Sequence, residues 1–241
     1  MKLAGIDLAW HGEIKPTAIA TGTFIGNKII LDGIEPAIIG LNSIFDFITG
    51  LDSLRGIAID APLVIRNKKG QRICETELGR IYGSRGASCH ASNLRLFPNS
   101  LSVRLSKMLQ AKGFNHLGSK KWQIECYPHP AIIEIFGLAK RLKYKKGKVA
   151  DKKEGQQKLS SYLLKLSESP TLGLVIPEHF QHYFEAGYIN TLKGKSLKSN
   201  EDALDAVVCL YIAASYAFKA SNITFGDSQN GYIWVPKEKR I

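Results

Sequence analysis

Four aspartates carry the first chemical signal in this sequence. Asp7 interrupts the apolar run of residues 2–10 directly after Ala4-Gly5-Ile6, and Asp60 closes a second apolar run after Ile57-Ala58-Ile59. A bare carboxylate in that setting is costly unless it is paired, hydrogen-bonded or bound to a metal. Asp202 and Asp205 stand three apart in Asn200-Glu201-Asp202-Ala203-Leu204-Asp205-Ala206-Val207-Val208, so a helix puts them on one face. Acids in a first helical turn, with Ser199 or Asn200 as cap, are an ordinary feature, which leaves two roles open for Asp202. Capping explains Asp205 less well, because like charges on one helical face repel. Carboxylates without other ligand types suit hard cations, Mg²⁺ or Mn²⁺. Two such ions can activate a water and stabilise the leaving oxygen in phosphodiester cleavage.

These side chains need a scaffold that brings two strand ends to one helix. Residues 2–10 read as a buried central strand. Residues 17–25 and 28–34, rich in Ile, Thr and Phe around Gly26-Asn27, read as a hairpin. Ile38, Leu41, Ile44, Phe45 and Ile48 have helical spacing within 38–49, and residues 56–62 form a second buried strand stopped by Pro62. The resulting β-β-β-α-β unit calls for a right-handed parallel crossover. Helices are expected near 73–82, 100–112, 130–139, 154–167, 178–189 and 199–219. A strand is expected at 121–127, and two short ones at 223–225 and 232–235. The expected architecture is one α/β domain spanning 1–241, with insertions at about 64–118 and 140–198. Its core is a mixed five-stranded sheet in the order 3-2-1-4-5, strand 2 antiparallel, flanked by helices. In open α/β sheets ligands gather at the carboxyl ends of the strands, where Asp7 and Asp60 stand.

Charge narrows the partners. The 33 Lys and Arg against 21 Asp and Glu give a net +12, a field that favours polyanions, nucleic acid before an acidic membrane surface. Arg66, Arg72, Arg80, Arg85 and Arg95 crowd one stretch. Residues 140–153 hold eight basic side chains, among them Lys143, Lys145 and Lys146, against Asp151, with Tyr144 in their midst. That run is either a solvated surface or an arm that binds a nucleic-acid backbone, and the overall charge favours the arm. His179 and His182 lack further ligands for zinc, and Trp10, Trp122 and Trp234 are expected in the core. The four cysteines are widely spaced, no apolar run approaches the roughly 18 residues of a membrane helix, and Asp7 breaks any leader-like stretch. A reduced, cytoplasmic, non-membrane protein is the expectation.

Five blocks in order resemble the domain-of-unknown-function 429 family, predicted nucleases with a ribonuclease-H-like fold. They are Gly5-Ile6-Asp7 with its hairpin, Ala58-Ile59-Asp60-Ala61-Pro62-Leu63, Arg72-Ile73-Cys74-Glu75 through Gly79-Arg80, Glu125-Cys126-Tyr127-Pro128-His129-Pro130, and Glu201-Asp202-Ala203-Leu204-Asp205-Ala206. The order of acids is also similar to that of bacterial Holliday-junction resolvases. The resemblance implies a divalent-metal-dependent nuclease acting on DNA or RNA, with Asp7, Asp60, Asp202 and Asp205 as ligands of Mg²⁺ or Mn²⁺. It also brings Arg72, Arg80 and Arg85 near the site. Glu125 becomes either an additional catalytic ligand or the partner of an arginine. His129-Pro130 falls two residues later than the family's His-Pro, so a role for the histidine does not carry over. Two other functions stay open: a nucleic-acid-binding module without catalysis, and a small-molecule phosphotransferase of the actin-like type. The single β-β-β-α-β copy argues against the second, because that fold duplicates the unit.

Overall fold

Backbone pairing around the first strand sets the architecture. The computed structural model describes residues 1–10 and 13–237. β1 (Lys2–Asp7) pairs antiparallel with β2 (Thr17–Ile25), which pairs antiparallel with β3 (Lys28–Ile38). Gly26 turns the β2–β3 hairpin at φ +60°, a left-handed conformation that glycine adopts without steric cost. After α1 (Leu41–Thr49), β4 (Leu54–Ile59) returns parallel to β1. α2 (Ile73–Tyr82), α3 (Leu101–Ala111) and the two-residue β5 (Asn115–His116) lead to β6 (Trp122–Glu125), parallel to β4. Next come α4 (Pro128–Ile135), α5 (Val149–Lys165), β7 (Gly173–Val175), α6 (Ala186–Thr191) and the long α7 (Gly194–Ala217). β8 (Asn222–Asp227) and β9 (Gly231–Pro236) form a separate hairpin, bridged to the main sheet where Cys126 meets Trp234. No helix among the described residues is long and apolar enough to cross a membrane.

The main sheet has seven strands, not five, in the order β5-β6-β4-β1-β2-β3-β7. The two additions are edge strands of two and three residues, too short for an alternating pattern. Both come from segments expected to be insertions. Other boundaries move as well: α4 ends at Ile135 rather than near 139, and α5 starts at Val149 rather than near 154. β3 runs on to Ile38, and α1 starts only after Gly40. The helix expected at 178–189 is a 3₁₀ turn over Glu178–Phe184 followed by α6. α7 begins at Gly194, with the Lys193 N–H donating to Ser196 Oγ, so neither Ser199 nor Asn200 caps it.

Two apolar layers cover the sheet. Leu3 and Ala58 belong to the core shared with α7, α4 and α5, while Ala4, Ile6, Ile57 and Ile59 belong to the core built with α1 and α3. α7 lies almost in contact with the β1 backbone. A methyl group on Gly5 would collide with the Leu210 nitrogen and the Ala206 carbonyl, so only glycine lets this helix approach so closely.

Candidate functional site

Alternation along the strands decides which carboxylates meet. Leu3 and Gly5 face α7, so Asp7, two residues on, faces it too. Ala58 faces the same way and Asp60 follows it in phase, its N–H donating to Ile6 O at 2.9 Å and continuing the ladder. α7 supplies Asp202 and Asp205 to this face. Both are buried, Asp205 completely, while Asp7 and Asp60 are only partly covered. Asp202 sits well inside the helix rather than in its first turn. The Lys198 ammonium, one turn earlier, contacts it at 2.5 Å and Glu201 at 2.8 Å. Helix capping is therefore not its role.

The cluster already contains a cation. The Lys145 ammonium lies 2.6 Å from Asp205 Oδ2, and Tyr144 donates its hydroxyl to Asp205 Oδ1 at 2.6 Å. Burial pushes the Asp7 carboxyl well above the usual range; Lys145 opposes this, and Asp205, Asp60 and Asp202 add to it. The same balance of burial, Lys145 and Asp205 holds Asp60 at about 7. Burial works against the Lys145 ammonium, but Asp205, Asp7 and Asp60 among its neighbours keep it well above its ordinary value. These four groups thus act on one another at close range.

Glu125 does not join them. β6 pairs Glu125 with Ile59 of β4, and Ile59 faces the α1–α3 side. The Glu125 side chain therefore points away from α7. It accepts hydrogen bonds from the Leu63 N–H at 2.8 Å and from both guanidinium arms of Arg72, at 2.9 and 2.5 Å. Arg72 also donates to Glu75 at 2.8 Å and to Val64 O at 3.0 Å. With Arg72, Glu75 and Glu125 all buried, Arg72 cannot grip a phosphate. Of the two roles open to Glu125, the structure gives it the arginine pair. Burial still lifts its carboxyl above the ordinary range against the pull of Arg72.

Other basic residues divide in the same way. Arg85 donates to Glu134 at 2.8 Å and to the carbonyls of Leu138 and Ala139, a structural commitment rather than a free phosphate contact. Arg80 is exposed on α2. The 140–148 segment is an ordered strap. Tyr144 is buried, the Arg141 N–H donates to Arg85 O, and Gly155 of α5 leaves room for the backbone of Lys143 and Tyr144. Lys143 and Lys146 are exposed, whereas Lys145 turns inward. The strap walls an open groove of about 830 Å³ lined by five cations (Arg141, Lys143, Lys145, Lys146 and Lys158) and two acids (Asp151 and Glu154). His129, at the start of α4, also lines it. Burial pushes this imidazole down to about 4, with Lys145 adding to the effect. A small cavity of about 60 Å³ adjoins, sharing His90 and Tyr127 with the groove and reaching Asp60 and Trp10. Trp122 and Trp234 are core residues. Cys89 borders this cavity, but burial raises its thiol, the opposite of an activated nucleophile.

Spacing alone marks neither Lys198 nor His129 as a site residue, and it puts Lys145 on a nucleic-acid-binding arm rather than inside the carboxylate cluster. The one available sign was Tyr144, a large ring amid lysines, which a solvated run has no reason to carry. Among the described residues, no three His, Cys, Asp or Glu side chains are grouped as a single ion would require. The donor set still suits a hard divalent ion. It is all carboxylate, and the buried Asp205 Oδ2 already takes a cation, the Lys145 ammonium at 2.6 Å.

Together these features define a helix-flanked, mixed α/β domain with an acidic cluster at the carboxyl ends of its parallel strands. A family model described as protein of unknown function, DUF429, matches residues 5–229, and the chain belongs to that family. No curated protein and no solved structure matches the chain.

Proposed function

We propose that this chain is a divalent-metal-dependent nuclease that hydrolyses phosphodiester bonds of nucleic acid. The observation that carries the reading is the gathering of Asp7, Asp60 and Asp205 on one face of the sheet, beside a groove rich in lysine and arginine. The neighbours β3-β2-β1-β4-β6 within the seven-stranded sheet support a ribonuclease-H-like reading of the fold. Asp7, on the central strand, together with Asp60, Asp205 and Asp202 would hold Mg²⁺ or Mn²⁺. Such ions, when bound, lower the pKa of water and stabilise the leaving oxygen. The chain's own residues hold and orient. Lys143, Lys146 and Arg141 line the path of a phosphate backbone, and Lys198 fixes the rotamer of Asp202. Tyr144 fixes that of Asp205.

A non-catalytic nucleic-acid-binding module is the second reading, favoured by the ammonium inside the carboxylate cluster. A cleavage assay with Mg²⁺ or Mn²⁺ on branched, single-stranded and duplex substrates separates the two. Asp7→Asn keeps the shape of the side chain and removes one charge, so it should abolish cleavage and leave binding largely intact. Equal cleavage by both proteins would refute the assignment of the site. Metal-independent binding without cleavage in either would favour the second reading.

A further inference from the structure

Lys145 occupies a position that the metal reading does not explain. It is one of eight basic residues in 140–153, yet its neighbours Lys143 and Lys146 face solvent while its ammonium reaches the buried Asp205. The strap leaves it little choice of starting point. Tyr144 is locked in the core by its bond to Asp205, and the backbone beside it rests on Gly155. The side chain itself is 26% exposed and borders the groove. A four-carbon stem with rotatable bonds can carry the charge out without disturbing Tyr144.

We propose that Lys145 is the resident cation of this site: its ammonium and a divalent ion exclude one another among Asp7, Asp60 and Asp205, and metal entry drives the lysine into the adjoining groove. The idea rests on the metal-dependent reading above and deepens it. Three partly or wholly buried carboxylates with no counter-charge repel one another in a medium that screens poorly. The lysine relieves that repulsion, with its ammonium 2.6 Å from Asp205 Oδ2 and its charge felt by Asp7 and Asp60. An ion brings twice the charge and cannot share the space with an ammonium. The displaced ammonium then adds to Lys143 and Lys146 on the wall where a phosphate backbone would lie.

The test uses the full chain with Mn²⁺ as the probe, by titration calorimetry and by thermal midpoints with and without the metal. Lys145→Met should bind Mn²⁺ at least about tenfold more tightly than wild type, because no like charge has to be displaced. Without metal it should melt below wild type, and saturating Mn²⁺ should close the gap. Lys140→Met removes the same charge from an exposed position of the same strap, outside the groove, and should stay within about twofold of wild-type affinity, since solvent screens it. Lys145→Gln, which keeps a hydrogen-bond donor for Asp205, replaces the methionine variant if that fails to fold. Unchanged Mn²⁺ affinity in the Lys145 variants, or an equal gain in Lys140→Met, overturns the lysine's role and leaves the metal reading standing. No Mn²⁺ binding by any of these proteins overturns both.

Discussion

Replacing Arg72 with methionine tests the ion-pair network that holds the β4–β6 end of the sheet. The guanidinium makes four contacts, two to Glu125, one to Glu75 and one to Val64 O. Methionine fills much of the space and makes none of them. Glu75 would keep two donors, the N–H groups of Arg72 and Ser92. Glu125 would keep only the Leu63 N–H. The loss is therefore mainly that of an uncompensated buried carboxylate, about 3–5 kcal/mol when one partner of a buried pair is removed. For a chain of this size each kcal/mol moves the thermal midpoint by about 2–4 °C, so a fall of about 6–20 °C is expected. The penalty has a pH signature. Without Arg72 the Glu125 carboxyl rises further, and a group whose folded pKa is raised loses stability as pH climbs through that value. The deficit should be larger at pH 8 than at pH 5. Urea denaturation followed by circular dichroism at the two pH values measures it. Adding Glu125→Leu should restore part of the loss, because a buried pair replaced by apolar groups is often close to neutral. A single variant within about 1 kcal/mol of wild type at pH 8 would refute the reasoning.

Three other outcomes follow from the same structure. His129 is held near 4 in the folded protein against 6.5 ordinarily, so its contribution is present above pH 6.5 and is lost as pH falls towards 4. At 1.36 kcal/mol per pH unit that is roughly 3 kcal/mol, and His129→Gln should flatten this limb of the stability–pH curve; an unchanged slope would contradict it. Gly5→Ala forces a methyl into the backbone of α7 and should cost about 3 kcal/mol or more in chemical denaturation, whereas ordinary helix–sheet spacing predicts almost no change. The double variant Lys143→Gln, Lys146→Gln should weaken nucleic-acid binding for all sequences and reduce the logarithmic salt slope by roughly 1.4–1.8 if both side chains touch phosphates; an unaltered slope in fluorescence anisotropy would return the strap to a merely solvated surface.

The sequence makes Asp7, Asp60 and Asp205 legible because each is a lone charge within or at the end of an apolar run. The hairpin and the parallel return of β4 are legible from the apolar runs themselves. The remainder depends on contacts remote in the chain. β5 and β7 are too short to carry a period, and exist because a neighbouring strand offers free backbone groups. The start of α7 is hidden because Gly194-Lys195-Ser196 has no apolar stripe. The exclusion of Glu125 follows from its register with Ile59, and a shift of one residue would have turned it towards Asp60. A run of eight cations likewise gives no local sign of which one turns inward. Arg72 and Arg85 read as phosphate-binding arginines until Glu125 and Glu134 are seen beside them.

The near-contact of β1 and α7 also bears on how variation in this family should be interpreted. Gly5 lies two residues from Asp7, and Ala206 follows Asp205, so one steric interlock fixes the spacing between the strand-borne and helix-borne carboxylates. A larger side chain at position 5 would move the helix, and with it Asp202 and Asp205, without altering any charged group. Position 5 is then subject to the same selection as the acids whose spacing it sets. In comparisons among relatives, invariance there would report a fixed distance between two elements. The atoms that Gly5 meets are backbone atoms of α7, which every residue type carries, so no smaller side chain on the helix could offset a larger one at position 5.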